Sequence, residues 1–287
     1  MTARRTLGAE ALIEGAGLFT GAACRAAIRP GAGGIALQRD GVRIPAQVAS
    51  LSMQPAHAAF ARLPARSTNL EARGARALTV EHILSALAGL GVTDALVVLT
   101  GDEIPILDGS SDGFVRAIQQ AGVVDAPGAI EPIVVAEPVT VEQDTASITA
   151  LPRQAPGWSV RYELDYGAGA PIAPQQASWD GAADSYERDI APARTFCTDR
   201  EAMAMRGLGL FGHLSAKEML VIGPDGPVDN TMRFDNEPAR HKLLDVIGDL
   251  ALAGRPIQAD IVARRSGHAL NHELARRLAQ VAGQPAP

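Results

Sequence analysis

Only two cysteines occur in the 287 residues, Cys24 and Cys197. They are far apart and in no CxxC pattern, which excludes a disulfide framework and a thiolate zinc site and fits a reducing compartment. No basic block compensates the formal net charge of −6, so a protein that lives on nucleic acid is excluded. No uninterrupted apolar stretch approaches the roughly 20 residues of a membrane span. The opening "MTARRTLGAEALIEGAG" lacks the apolar run of a signal peptide. The glycines of "GAGG" (31–34) and "GLGLFG" (207–212) have neither a following Gly-Lys-Ser/Thr nor a dinucleotide-binding pattern, which removes a phosphate loop. What is left is a cytoplasmic globular protein, with 47% hydrophobic residues for its cores and 20% charged residues for a wet surface.

The chain reads as two α+β halves of similar size, 1–126 and 127–287. Short strands with Gly, Pro and Asp turns open the first half, as in "GGIALQRDGVRIPAQV" (33–48). "TVEHILSALAGLGV" predicts a helix with Thr79 as N-cap and Gly91 near its C-terminal end. A buried strand "DALVVLT" and a helix over about 112–121 follow. "GVVDAPGAIEPIV" (122–134) has Pro and Gly and little periodicity, and is the candidate boundary. The second half repeats the plan, with strands at about 133–150 and 158–166, a helix at 239–253, the strand "PIQADIVAR" and a last helix over about 269–281. No residue-level repeat is visible, so kinship between the halves would be structural only. The stretches 53–66 and 197–237 fall outside this plan and read as insertions that shape a site.

The helix "RHKLLDVIGDLAL" (240–252) carries the chemistry. Leu243, Leu244, Val246, Ile247 and Leu250 cover one side, while His241, Asp245 and Asp249 line up at i, i+4 and i+8 with Lys242 beside them. Singly, each is what a solvated helix face carries. His and Asp one turn apart can also bind one metal ion, and the donor types suit zinc and would accept iron(II). A catalytic site needs a third protein ligand, and the candidate lies in "TVEHIL". There Glu81 and His82 stand in a helix's first turn, as an adjacent base and ligand do in HExxH zinc sites, although the HExxH pattern itself is absent. A strand running back along the 239–253 helix would return "SGH" to the end where His241 and Asp245 sit. Asp249 would then reach His268 and favour its imidazolium form. Metal-bound water, carboxylate base and protonated histidine are the components of metal-assisted amide hydrolysis. Asp108 in "LDGSS" is ordinary turn chemistry. "ARTFC" offers the Thr195 hydroxyl to an oxyanion and Phe196 as an apolar wall.

Taken together these segments resemble the UDP-3-O-acyl-N-acetylglucosamine deacetylases of lipid A biosynthesis. The matching pieces are "GAGLFTG" (15–21), "TVEHILSALAGLGVTDALV" (79–97), "EIPILDGS" (103–110), "ARTF" (193–196), "RFDNEPARHKLLDVIGDLALAG" (233–254) and "SGHALN" (266–271). They occur in family order over nearly the whole chain. The resemblance implies two similar two-layer α/β sandwich domains, each with a small insertion, and an active site between them. It implies zinc ligands His82, His241 and Asp245, Glu81 as general base, His268 as general acid with Asp249 as its partner, and Thr195 at the oxyanion. Lys242 and Phe196 would contact the substrate, and Tyr166 and Arg265 would lie around the uracil. The second insertion, about 197–232, would form an apolar passage for the acyl chain. The expected partner is the UDP-linked acylated amino sugar, and the expected oligomeric state is a monomer.

The chain departs from the family at Phe19, where members commonly carry His, at Cys197 and Thr198 after "ARTF", and in the unmatched segment 53–66. These leave the metal and acid–base set intact and bear on acyl and nucleotide contacts. Two alternatives differ in kind: a divergent paralogue acting on another acylated amino sugar, and a non-catalytic binding protein of the same fold. A mere binder needs neither base nor acid.

Overall fold

The computed structural model describes residues 1–61, 65–215 and 218–283. Six helices are present among these: α1 (Glu81–Gly89), α2 (Asp112–Ala121), α3 (Tyr186–Asp189), α4 (Asp199–Gly207), α5 (Glu237–Leu250) and α6 (His268–Val281). None of the described helices is long and apolar enough to cross a membrane.

Alternating burial along the strands, as in Ile257–Arg264 and Ala95–Thr100, follows from alternating side-chain direction and gives each sheet a face to cover. The first sheet has the spatial order Ala11–Ala16, Ala23–Pro30, Ala95–Thr100, Ile35–Arg39, Val42–Pro45. The second runs Val139–Gln143, Ala146–Leu151, Ile257–Arg264, Trp158–Leu164, Gln175–Asp180, with Ile133–Val134 added beside Ile257–Arg264. Along both five-strand paths only the third and fourth strands are parallel. In both, four strands precede a helix, the central strand and a second helix. α1 and α2 thus correspond to α5 and α6. The kinship is of topology, as expected from a sequence without a repeat, and the class is α+β.

α5 lies on Trp158–Leu164 and Gln175–Asp180, α6 on Val139–Gln143 and Ala146–Leu151, α2 on Ala11–Ala16, and α1 packs across α5. The closest approach is at Gly248, where a Cβ would stand 2.1 Å from the Glu81 carbonyl oxygen. Gly248→Ala should force the helices apart, lowering stability by about 1–3 kcal/mol and displacing the first turn of α1, with the candidate ligand His82, from the candidate ligands His241 and Asp245 of α5. Denaturant titration and metal affinity check this together. Unchanged values in both would show that the contact sets nothing.

Three expectations about elements change. Val123–Ile130, within the stretch read as a boundary, is a strand paired antiparallel with Thr2–Leu7. A register shift between Ala3 and Arg4 leaves Pro127 and Gly128 outside the ladder, with Gly128 at φ +91°. Such a bulge is where a strand tolerates both residues. Thr79 is not an N-cap. It lies before the cap residue Val80 at φ +58°, and its hydroxyl donates to Glu103 at 2.8 Å. The second insertion is also more regular than its sequence reads, with α4 closed by a capping box between Thr198 and Glu201 and a three-stranded sheet of Phe196–Thr198, Leu220–Gly223 and Gly226–Pro227. Residues 62–64 of the first insertion and 216–217 of the second lie outside the described residues.

At the start of α5, Glu237 is fully buried against Arg194, which donates to it from the backbone N (3.0 Å), Nε (2.8 Å) and Nη2 (3.1 Å). Burial works to raise the Glu237 pKa, but these bonds hold it below its ordinary value of 4.5. A depressed folded-state pKa stabilises above the unfolded value and loses that contribution as pH falls through the folded one. Glu237→Gln should therefore cost about 3–5 kcal/mol near pH 7, because it strands a buried guanidinium. The gap from wild type should close below about pH 4.5, as wild type protonates too. Urea titrations at the two pH values test it, and a gap independent of pH would contradict the pairing.

Candidate metal and acid–base site

α1 begins where the backbone around Thr79 is fixed by bonds from Thr79 N to Asn69 and from Val80 N to the Thr68 carbonyl. This sets Glu81 and His82 in the first turn, both buried. From the corresponding helix of the second sheet, His241, Asp245 and Asp249 face them with 2%, 3% and 0% exposure. The row is no solvated face, because α5 is covered on both sides.

Asp245 is central. Its Oδ2 accepts a 2.7 Å bond from Lys242 Nζ. Its Oδ1 is buried with no hydrogen-bond partner among the described residues, 3.7 Å from His82 Nε2 and 3.5 Å from His241 Nε2. The two imidazole rings are perpendicular with centroids 5.0 Å apart. His241 Nδ1–H donates to the Ala193 carbonyl at 3.1 Å, which leaves the lone pair on Nε2 and fixes the ring's aim, as an outer partner does for a metal-ligating histidine. Burial lowers both histidines' pKa values, His82 to about 3. Burial raises that of Asp245, but the Lys242 ammonium together with the neighbouring His241, His268 and His82 outweighs it and holds the carboxyl well below its usual range. Two neutral imidazoles, a carboxylate and an orphaned oxygen between them fit a divalent cation. The ligand atoms of His82, His241 and Asp245 all lie within 4.8 Å of one another.

A second set adjoins it. His268, the first residue of α6, donates from Nδ1 to Asp249 Oδ2 at 2.8 Å, and its Nε2 is 4.0 Å from Asp245. Burial opposes charge on His268, but the Asp249 carboxylate prevails and raises its pKa to about 9. Asp249 is held further by Asn271 Nδ2 at 2.9 Å and by the Thr68 hydroxyl. His272 Nε2 lies 2.7 Å from that hydroxyl. Glu81 Oε2 accepts the Thr68 backbone N–H at 2.9 Å, and burial, only partly offset by His268, pushes its pKa up to about 8.

Six of the residues singled out from sequence thus converge: Glu81, His82, His241, Asp245, Asp249 and His268. Lys242 joins them through Asp245, with Nζ 5.7 Å from the centre of the Phe196 ring. Phe196 stands edge-on to His241 (6.1 Å between centroids) and to Tyr166 (6.3 Å). Thr195 lies in the same segment as the Ala193 carbonyl, tied by its N–H to Gly109. Arg265 is apart, at φ +51° and 3.7 Å from Asp165, with no bond to the cluster. Asp108 serves its turn, accepting from Ser110 and pairing with Arg233. Thr68, Asn271 and His272 escaped the sequence reading. "HALNH" places Asn271 and His272 three and four residues after His268, on one helix face, and that signal was available. Nothing in the sequence around Thr68 announces its part.

Phe19 is buried with Phe60 (5.4 Å) and Phe211 (5.6 Å), so the departure at this position joins the two insertions in one apolar cluster with Leu18, Ile106 and Leu210. Arg66 and Glu201 tie the same segments at 3.3 Å.

The sequence model of UDP-3-O-acyl N-acetylglycosamine deacetylase matches residues 4–280. The chain belongs to this deacetylase family. Among the UDP-3-O-acyl-N-acetylglucosamine deacetylases it is similar to, that of Thermosynechococcus vestitus is 36% identical over 279 residues, covering 97% of this chain and 95% of the relative. That of a Geobacter species is 34% identical, covering 97% and 89%, and that of Chlamydia trachomatis serovar L2 is 33% identical, covering 96% and 94%. The deacetylase match therefore spans both sheets and every element that brings a residue to the cluster.

Proposed function

We propose that the chain removes the N-acetyl group from UDP-3-O-(3-hydroxyacyl)-N-acetylglucosamine, releasing acetate and leaving the free amine, the committed step of lipid A biosynthesis. The observation that carries the mechanism is the orphaned Asp245 Oδ1 between two imidazole nitrogens, with a high-pKa carboxyl and a carboxylate-bound histidine beside it. His82, His241 and Asp245 would hold zinc, with iron(II) the alternative for the same donors, and the bound ion would supply Lewis acidity toward the amide and the attacking water.

Glu81 takes the proton from the attacking water. Its raised pKa makes it a stronger base than an ordinary carboxylate, and the Thr68 N–H fixes one of its oxygens. His268, kept protonated by Asp249, gives its Nε2 proton to the departing amine. Thr195 donates its hydroxyl to the developing oxyanion. Lys242 and Phe196 contact the substrate, with Tyr166 and Arg265 at the nucleotide end, and the second insertion receives the acyl chain. The chain works as a cytoplasmic monomer of two units divided near residue 126, with the strand Val123–Ile130 as the crossing segment.

Acetate release measured on the UDP substrate and on the same acylated sugar without UDP tests the substrate. Turnover confined to the nucleotide form is expected. Equal turnover on both would favour the paralogue reading, for which the Phe19 cluster is the structural ground.

A further inference from the structure

We propose that His272 is a positioning residue of the reaction, holding the base and the acid of the proposed deacetylation in register through Thr68; the proposal rests on that reading of the site. Thr68 is fully buried and bonded to both sides. Its backbone N–H donates to Glu81 Oε2 at 2.9 Å, and its hydroxyl donates to Asp249 Oδ1. No helix or strand contains it, since the strand Leu70–Ala72 begins two residues later and α1 only at Glu81. Its carbonyl accepts the Val80 N–H at 2.9 Å, which fixes the backbone and leaves the side chain free to turn about one bond. The partner that stops this turning is His272, whose Nε2 lies 2.7 Å from the hydroxyl oxygen.

The direction of each bond follows from the proton count. Burial works to raise the Asp249 pKa, but His268 and His272 outweigh it and hold the group well below the usual carboxylate range, so it brings no proton to the hydroxyl. A hydroxyl has one proton, and it goes to Asp249 Oδ1. His272 Nε2 must then donate to the same hydroxyl oxygen, and it stands only 3.5 Å from Asp249 Oδ1. The first turns of α6 thus hold the carboxylate from two sides. His268 Nδ1 (2.8 Å) and Asn271 Nδ2 (2.9 Å) donate to Oδ2, while His272 fixes the donor to Oδ1. With His272 gone the Thr68 hydroxyl can swing away, leaving a fully buried carboxylate oxygen short of a donor. Asp249 then turns to regain one, and Oδ2 leaves the line to His268 Nδ1. The acid shifts relative to Glu81, which stays tied to the Thr68 N–H. Among the described residues no hydrogen bond or ion pair joins His272 to His82, His241 or Asp245, so the candidate metal ligands are held without it.

Kinetics of the zinc-loaded full chain on the UDP substrate, read beside the His268 Nδ1–H signal in proton NMR of the same protein, test this. His272→Leu keeps an apolar bulk at a side chain 13% exposed and removes the donor. It should lower kcat roughly 10–100-fold, leave KM and metal content unchanged, and weaken the Nδ1–H signal through faster solvent exchange. His272→Gln returns an N–H donor near the place of Nε2 and should recover most of the kcat and of the signal. Thr68→Val keeps the backbone N–H and removes the hydroxyl, so adding His272→Leu to it should cost under about 2-fold more. If His272→Leu does not fold, His272→Asn, whose amide falls short of Thr68, takes its place. Unchanged kcat and signal in His272→Leu, equal losses in His272→Leu and His272→Gln, or losses that multiply in the double variant would each overturn the proposal. If the wild-type protein leaves the substrate intact, the deacetylase reading fails, and the NMR signal across the variants still decides this one.

Discussion

Glu81→Gln should lower turnover by roughly 10²–10⁴-fold while the protein keeps its metal. The substitution preserves the side-chain shape and an oxygen to accept the Thr68 N–H, so the α1 start and His82 beside it stay in place. What is lost is the one carboxylate in the cluster whose pKa is raised rather than lowered. Burial pushes Glu81 to about 8, whereas Asp245 and Asp249 are held down by Lys242 and His268 against the same burial. Three buried carboxyls in one site are thereby divided into a base and two permanently charged groups, a separation that argues for distinct roles. The check is kcat with metal content on the same preparation. Near-wild-type turnover would remove Glu81 from the chemistry, and loss of metal would recast it as part of the ion's site.

His241→Ala has the other large expected effect, and it differs in kind. Loss of an outer partner of a metal ligand costs roughly 10–100-fold in metal affinity, and removal of the ligand itself should exceed that. Metal content and turnover should therefore fall together. The same change frees the Ala193 carbonyl, to which His241 Nδ1 is bonded at 3.1 Å, so the segment leading to Thr195 and Phe196 should loosen as well. Arg194, one residue on, still anchors that segment to Glu237, and the fold should survive. Metal analysis and circular dichroism separate these outcomes. A folded variant with full metal occupancy would exclude His241 as a ligand.

Much of this arrangement could be read from residue spacing because helix periodicity is local. The 112–121 helix lies where its sequence places it, and His241, Asp245 and Asp249 do share one side of α5. Their burial was not legible, since it depends on α1 crossing α5 at Gly248, a contact between residues 167 positions apart in sequence. Thr79 misled for a related reason. A threonine before a helix reads as a cap, but its hydroxyl is taken by Glu103 from another segment. Val123–Ile130 was hidden because most of its residues are exposed, so no apolar alternation marks it, and its Pro and Gly belong to a bulge. Thr68 makes its contribution through a backbone N–H and a hydroxyl, neither of which has a sequence signature. The shared topology of the two sheets was invisible for the same reason. It emerges only from pairing, and it places the two sides of the cluster on corresponding helices.

The most direct test of the account combines deacetylation of UDP-3-O-(3-hydroxyacyl)-N-acetylglucosamine with metal content through a cycle of chelation and zinc return. The account predicts about one metal ion per chain, loss of turnover as the ion is removed, and recovery in proportion to the zinc rebound. Full turnover in metal-free protein, or a metal-loaded protein that leaves this substrate intact, would contradict it.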